Sequence, residues 1–161
     1  MPADKQIAVA VVLQSGCVLA GIRSDTAAEC PGAYEFPGGK VEPHENPNQA
    51  AARECLEETG IEIDVGPIID RSFFENETGF TEILFFSGSV RQHSFALPPF
   101  FWLPIDALRW ELFPAANRRV LDVLLAFKED HYHPGSKDDS GKCDEGLSSF
   151  PIRVHTSERF Q

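Results

Sequence analysis

Positive charge, paired cysteines and long apolar runs are what this sequence has least of. Its 161 residues carry 14 Lys and Arg against 25 Asp and Glu, a formal net charge of −11. A chain so acidic is repelled by phosphate backbones, which excludes a polynucleotide binder working by bulk charge. A small phosphorylated ligand stays open, provided a divalent cation supplies the missing positive charge. The four cysteines, Cys17, Cys30, Cys55 and Cys143, form no CxxC pair. That excludes a zinc ribbon and a disulfide framework, and reduced thiols are the expectation. His131, His133, Cys143 and His155 fit no zinc-site spacing either. No apolar run approaches the roughly 20 residues that span a bilayer. Ile7 to Leu13 (IAVAVVL), with Ser15-Gly16-Cys17 close behind, faintly suggests a lipoprotein leader. It is short for one, and Asp4 stands where a leader is basic. The expectation is a cytoplasmic protein with neither a membrane nor a polynucleotide partner.

What is present is a globular composition, 42% hydrophobic and 24% charged. A chain of this length makes one domain whose core buries about two thirds of the unfolded surface. Residues 5–13 are rich in Ile and Val, as in a strand buried on both faces. Gln14-Ser15-Gly16 is a turn and Cys17 to Arg23 the returning strand. After a polar loop, Tyr34-Glu35-Phe36 runs into Pro37-Gly38-Gly39, which is expected to end regular structure. Ile61 to Phe74 reads as one bent strand or two, with the break at Gly66-Pro67. Phe80 to Val90 is a further strand, and Phe100 to Ile105 a short one. Pro114 to Lys128 begins with Pro and repeats apolar residues at helical spacing: Val120, Leu121, Leu124, Leu125, Phe127. From there the chain turns polar and poor in aliphatics. The expected organisation is a domain over residues 1–130 and a polar extension over 131–161, with a short strand at Pro151 to Phe160.

The clearest helix lies between. Asn46 can cap it, Pro47 suits the first position, Gln49 completes a capping box and Gly60 is the stop. On it Glu54, Glu57 and Glu58 stand at i, i+3 and i+4, within one ~100° sector. Ala52, Cys55, Leu56 and Thr59 are expected to face a sheet. Carboxylates at i, i+4 repel, and a hard divalent cation would offset the Glu54–Glu58 pair. Arg53 can pair with Glu45 across the start of the helix, and Gly38-Gly39 lets backbone approach a metal or a phosphate. Three glutamates alone also describe an ordinary solvated face. Their surroundings favour the metal.

Gly39 to Ile61, GKVEPHENPNQAAARECLEETGI, resembles the Nudix box. Gly39, Glu45, Arg53, Glu54, Glu57, Glu58 and Gly60 stand at its fixed spacing, and such a match arises by chance about once in 10⁸ starts. Cys55 takes an apolar position of the box, and Cys is a small hydrophobe. YEFPGGK and FPAAN (Phe113 to Asn117) resemble MutT-like members, and the likeness runs from about Lys5 to Phe127. The resemblance implies an α/β fold, an α/β/α sandwich around a mixed sheet. It implies that Glu54, Glu57, Glu58 and the Gly39 carbonyl hold Mg²⁺, with Mn²⁺ as the alternative ion. Glu54 is the first choice of general base, while Arg53 and Glu45 orient the box. It also puts Arg23, Phe36 and Asn117 at the nucleobase.

The implied activity is hydrolysis of a (deoxy)nucleoside triphosphate, above all an oxidised one such as 8-oxo-dGTP, to a nucleoside monophosphate and pyrophosphate. The only implied partner is the small-molecule nucleotide, and the protein is expected to be a monomer or homodimer. Nucleotide sugars or dinucleotide polyphosphates as substrates, and a Nudix-fold binding module without catalysis, remain alternatives. Two departures stand out. Phe101 precedes Trp102 where some relatives place a glutamate, which leaves Glu82 or a loop residue open as the base. His44 stands where the family usually has Gly, which bears on the conformation of the loop.

Overall fold

The computed structural model describes residues 3–131. The polar extension beyond them and its expected strand lie outside the described residues. Seven strands form one mixed sheet: β1 (Lys5–Gln14), β2 (Cys17–Ile22), β3 (Tyr34–Glu35), β4 (Gly38–Lys40), β5 (Ile63–Asn76), β6 (Gly79–Val90) and β7 (Phe100–Pro104). Their order is β3-β2-β1-β6-β5, with β4 also on β1 and β7 on β2; β1 and β6 run parallel and the other pairs antiparallel. Helix α1 (Pro47–Thr59) covers one face and α2 (Arg118–His131) the other. This is the expected α/β/α sandwich. Among the described residues no helix is long and apolar enough to cross a membrane.

β1 is the spine. Ala8 to Leu13 are all buried, and the period of two divides them. Val9, Val11 and Leu13 join Val120, Leu121 and Leu124 of α2, while Ala8, Ala10 and Val12 join Ala50, Ala51 and Cys55 of α1. The run that faintly suggested a leader is therefore the centre of the sheet. The alanines on the α1 side let helix and sheet approach closely, and this corrects the expected face of α1. Ala50, Ala51, Cys55 and Thr59 are buried there, whereas Leu56 is 49% exposed. A leucine in that narrow gap would hold the helix off the sheet.

Two further expectations change. Pro37-Gly38-Gly39 does not end regular structure, because Gly38–Lys40 pairs with β1 at Val9, Ala8 and Ile7. A Cβ on Gly38 would meet the Ala8 carbonyl oxygen at 2.6 Å and Val9 Cα at 2.8 Å, so the strand fits only as glycine. The second helix starts later than Pro114: a 3₁₀ turn at Ala115–Asn117 comes first, and α2 begins at Arg118. β5 is one bent strand. Its register shifts between Val65 and Asp70, around Pro67, which has no N–H to give to a ladder. α1 starts and stops as the sequence predicts: Asn46 N–H donates to Gln49 Oε1 (2.9 Å), and Gly60 closes the helix at φ 73°.

Candidate active site

The loop from β4 to α1 is fastened to the helix by one guanidinium. Arg53 donates through Nε and Nη2 to both carboxylate oxygens of Glu45 (2.7 and 3.0 Å), and through Nη2 to the Lys40 carbonyl (3.2 Å). Its Nη1 bridges Glu54 (2.9 Å) and Glu57 (3.3 Å). These bonds raise the Arg53 pKa, Glu45 contributing most, and hold the Glu45 carboxyl below its usual range. The charge on Glu54 and Glu57 is thus offset in part by the chain's own arginine. His44 sits in the same loop at φ 68°. The left-handed conformation that glycine favours is therefore kept, by a residue for which it costs roughly 1–2 kcal/mol.

Glu58 is different. Burial pushes its carboxyl up to about 7, against a bond from Gly38 N–H (3.0 Å) and with the charges of Glu35, Glu54 and Glu57 adding to the rise. Such a group binds its proton more tightly folded than unfolded. Its contribution to stability is present below the unfolded value of 4.5 and is lost as pH rises through about 7. In chelator-treated protein, the Tm should fall more steeply between pH 5 and 8 in wild type than in Glu58→Gln. Parallel melting curves would show that Glu58 is not perturbed.

The donor set fits a hard divalent cation. Glu54, Glu57, Glu58 and the Gly39 carbonyl are all oxygen donors of the kind Mg²⁺ takes. A Cβ on Gly39 would run into the Glu54 carboxylate and displace it, so glycine here lets that carboxylate lie against the backbone. Among the described residues no three acidic, His or Cys groups are grouped as a metal cage. Arg53 spans Glu54 and Glu57, while Glu58 is bonded to Gly38.

Next to Gly38–Lys40 opens a cleft of about 710 Å³ on the α2 face of the sheet. Register explains its floor. Ile7 lies between Ile83 and Lys40 in one row, Val9 between Phe85 and Gly38 in the next, and Phe74 pairs with Thr81 beside Lys5. Ser72 Oγ donates to the Ala116 carbonyl (3.1 Å), tying the 3₁₀ turn and Asn117 down over this floor. The three residues assigned to the nucleobase all line the cleft. Phe36 is 6% exposed with its ring 5.0 Å from Phe113, so it is core and cleft wall at once. Arg23 lies 3.6 Å from Glu35. Asn117 is 9% exposed, and its amide makes no side-chain hydrogen bond among the described residues.

Three residues that the sequence did not single out also belong here: Lys5, Phe74 and Glu35, whose carboxyl is raised by burial although Arg23 opposes this. Their place depends on strand register, for which the sequence carries no local signal. Glu82, open as a base, points to the other face of the sheet. It accepts from Gln6 Nε2 (2.7 Å) and Arg71 (3.4 Å), outside this cleft. Phe101 packs edge-on against Tyr34, at 5.8 Å between ring centres.

The NUDIX domain family model matches residues 4–124. A MutT-like protein from Streptomyces ambofaciens is 33% identical over 122 residues, covering 73% of this chain and 75% of that protein. An 8-oxo-dGTP diphosphatase from Haemophilus influenzae is 35% identical over 100 residues, covering 58% and 71%. The crystal structure of a MutT protein from Methanosarcina mazei Go1 superposes with a TM-score of 0.60 at 25% identity, covering 80% of this chain and 96% of that one. A mixed sheet between two helices, one of them bearing the box glutamates, is the scaffold of a Nudix pyrophosphohydrolase. The chain belongs to the NUDIX family and is MutT-like.

Proposed function

We propose that this protein hydrolyses (deoxy)nucleoside triphosphates to a nucleoside monophosphate and pyrophosphate, with Mg²⁺ or Mn²⁺, and prefers oxidised guanine nucleotides of the 8-oxo-dGTP kind. The catalytic unit lies within residues 1–130. The observation that carries the reading is the continuity of the cleft. An apolar floor of Ile7, Val9 and Ile83, with an Asn117 amide that has no side-chain partner among the described residues, runs into Gly38–Lys40 at the acidic helix. A flat base finds apolar surface and a hydrogen-bonding edge, and its phosphates then lie toward the box.

Glu54, Glu57, Glu58 and the Gly39 carbonyl would hold the cation. When bound, it supplies neutralisation of phosphate charge and a lowered pKa for a coordinated water. Glu54, fixed by Arg53 Nη1, accepts the proton of the attacking water as its oxygen bonds to phosphorus and pyrophosphate leaves. Arg53 and Glu45 keep the box aligned without touching substrate. Phe36 and Asn117 hold the base.

The test is a hydrolysis screen with Mg²⁺ across nucleoside triphosphates, oxidised nucleotides, nucleotide sugars and dinucleotide polyphosphates. Turnover of triphosphates, abolished by EDTA and restored by Mg²⁺, is expected. Turnover confined to nucleotide sugars or dinucleotide polyphosphates would replace this reading. Binding of nucleotides with no turnover of any would make the protein a binding module.

A further inference from the structure

In a protein of net charge −11, two cations stand unused among the described residues. Every described arginine side chain has a protein partner, from Glu35 at Arg23 to Asp70 at Arg119. Neither Lys5 nor Lys40, the two lysines whose side chains are described, makes an ion pair or a side-chain hydrogen bond among the described residues. Both line the cleft.

The ladder places them together. Lys40 is directly opposite Ile7, and Lys5 is two residues before Ile7. Alternate residues of a strand share a face, so Lys5 and Lys40 are diagonal neighbours, with Cβ atoms about 7–8 Å apart. Two ammonium groups so placed repel each other. Carboxylates are plentiful in this chain, yet among the described residues none pairs with either lysine. Of the cleft's acids, Glu35 lies 3.6 Å from Arg23. Lys40 directly follows Gly39 in β4, so the lysine pair adjoins the box.

We propose that Lys5, acting with Lys40, binds the phosphate chain of the nucleotide, as a binding residue outside the box. This rests on the triphosphate reading above. An anion between the two ammonium groups removes their repulsion and gains charge-assisted hydrogen bonds from both. Lys5 suits this role because it is exposed, on a flexible stem, at the rim of the apolar floor.

The experiment compares Lys5→Met and Lys5→Arg with wild type. Lys5→Met keeps the stem and loses the charge. Its kcat/KM for dGTP should fall about tenfold, carried by KM, with a shallower dependence on salt. Lys5→Arg should recover most of the loss. Calorimetric affinity for inorganic pyrophosphate should weaken in Lys5→Met by a similar factor, while inhibition by deoxyguanosine should keep its constant. An unchanged KM and unchanged pyrophosphate affinity would overturn the proposal. So would a deoxyguanosine constant weakened as much as that of pyrophosphate, which would make Lys5 a reader of the base. Should wild type hydrolyse no triphosphate, the functional reading fails by itself, and pyrophosphate binding still decides the role of Lys5.

Discussion

Replacing Glu57 with glutamine should lower kcat at least about 100-fold and leave the fold intact. The two halves of this expectation have separate causes. The side chain of Glu57 is 58% exposed, and its ion pair to Arg53, four residues earlier on the helix, spans 3.3 Å. Such a surface pair contributes between nothing and about 1 kcal/mol, so the thermal midpoint should hardly move. For the metal the change is large, because a neutral amide is a poor ligand for a hard cation. The same substitution at Glu58 would mix effects, since that carboxyl is half-buried and bonded to Gly38. Glu57 therefore isolates the ligand role. The measurement is kcat across an Mg²⁺ titration, with melting curves as the control. Full activity at saturating Mg²⁺ would remove Glu57 from the metal site.

The box helix was legible down to its ends because every signal it needs is local. Asn46, Pro47 and Gln49 start it, Gly60 stops it, and the spacing of Glu54, Glu57 and Glu58 sets one face. What escaped the sequence depends on distance between elements. Leu56 reads as a core residue by its side chain, yet the gap beneath α1 is set by Ala8 and Ala10, more than forty residues away, and admits only small groups. Pro37-Gly38-Gly39 reads as a breaker, and becomes a strand because glycine alone tolerates the approach of β1.

The cleft divides in the same way. Arg23, Phe36 and Asn117 came from resemblance, and the structure brings them to one cavity. Lys5 and Glu35 join them through the β1–β4 and β2–β3 registers. A register is a pairing of distant segments, and a shift of one residue would turn either side chain to the opposite face. His44 shows the converse limit: a side chain that looks wrong for a left-handed position is held there by the loop around it. That loop is anchored at Glu42 and Glu45, where Glu42 N–H donates to Glu45 Oε2 at 3.0 Å.

Asn117 should carry most of any preference for an oxidised base, and Asn117→Ala should reduce the ratio of kcat/KM for 8-oxo-dGTP over dGTP by about 100-fold or more. The amide offers an acceptor and donors side by side. In 8-oxoguanine N7 bears a hydrogen and O6 accepts, so the amide oxygen can take N7–H while its NH₂ donates to O6. In ordinary guanine N7 is an acceptor, and the same pose sets two lone pairs against each other. A polar mismatch of this kind in a desolvated site discriminates by up to about 10⁴–10⁵, far beyond what shape achieves. The position suits this: Asn117 is 9% exposed, lines the cleft and has no side-chain partner in the described chain that would compete for the amide. Its backbone N–H bond to the Pro114 carbonyl (3.0 Å) survives in alanine, so the 3₁₀ turn that presents it should persist. Phe36 at the wall supplies apolar contact to both bases alike and so cannot account for the discrimination. The idea fails if wild type does not prefer 8-oxo-dGTP, or if the ratio is the same in the alanine variant.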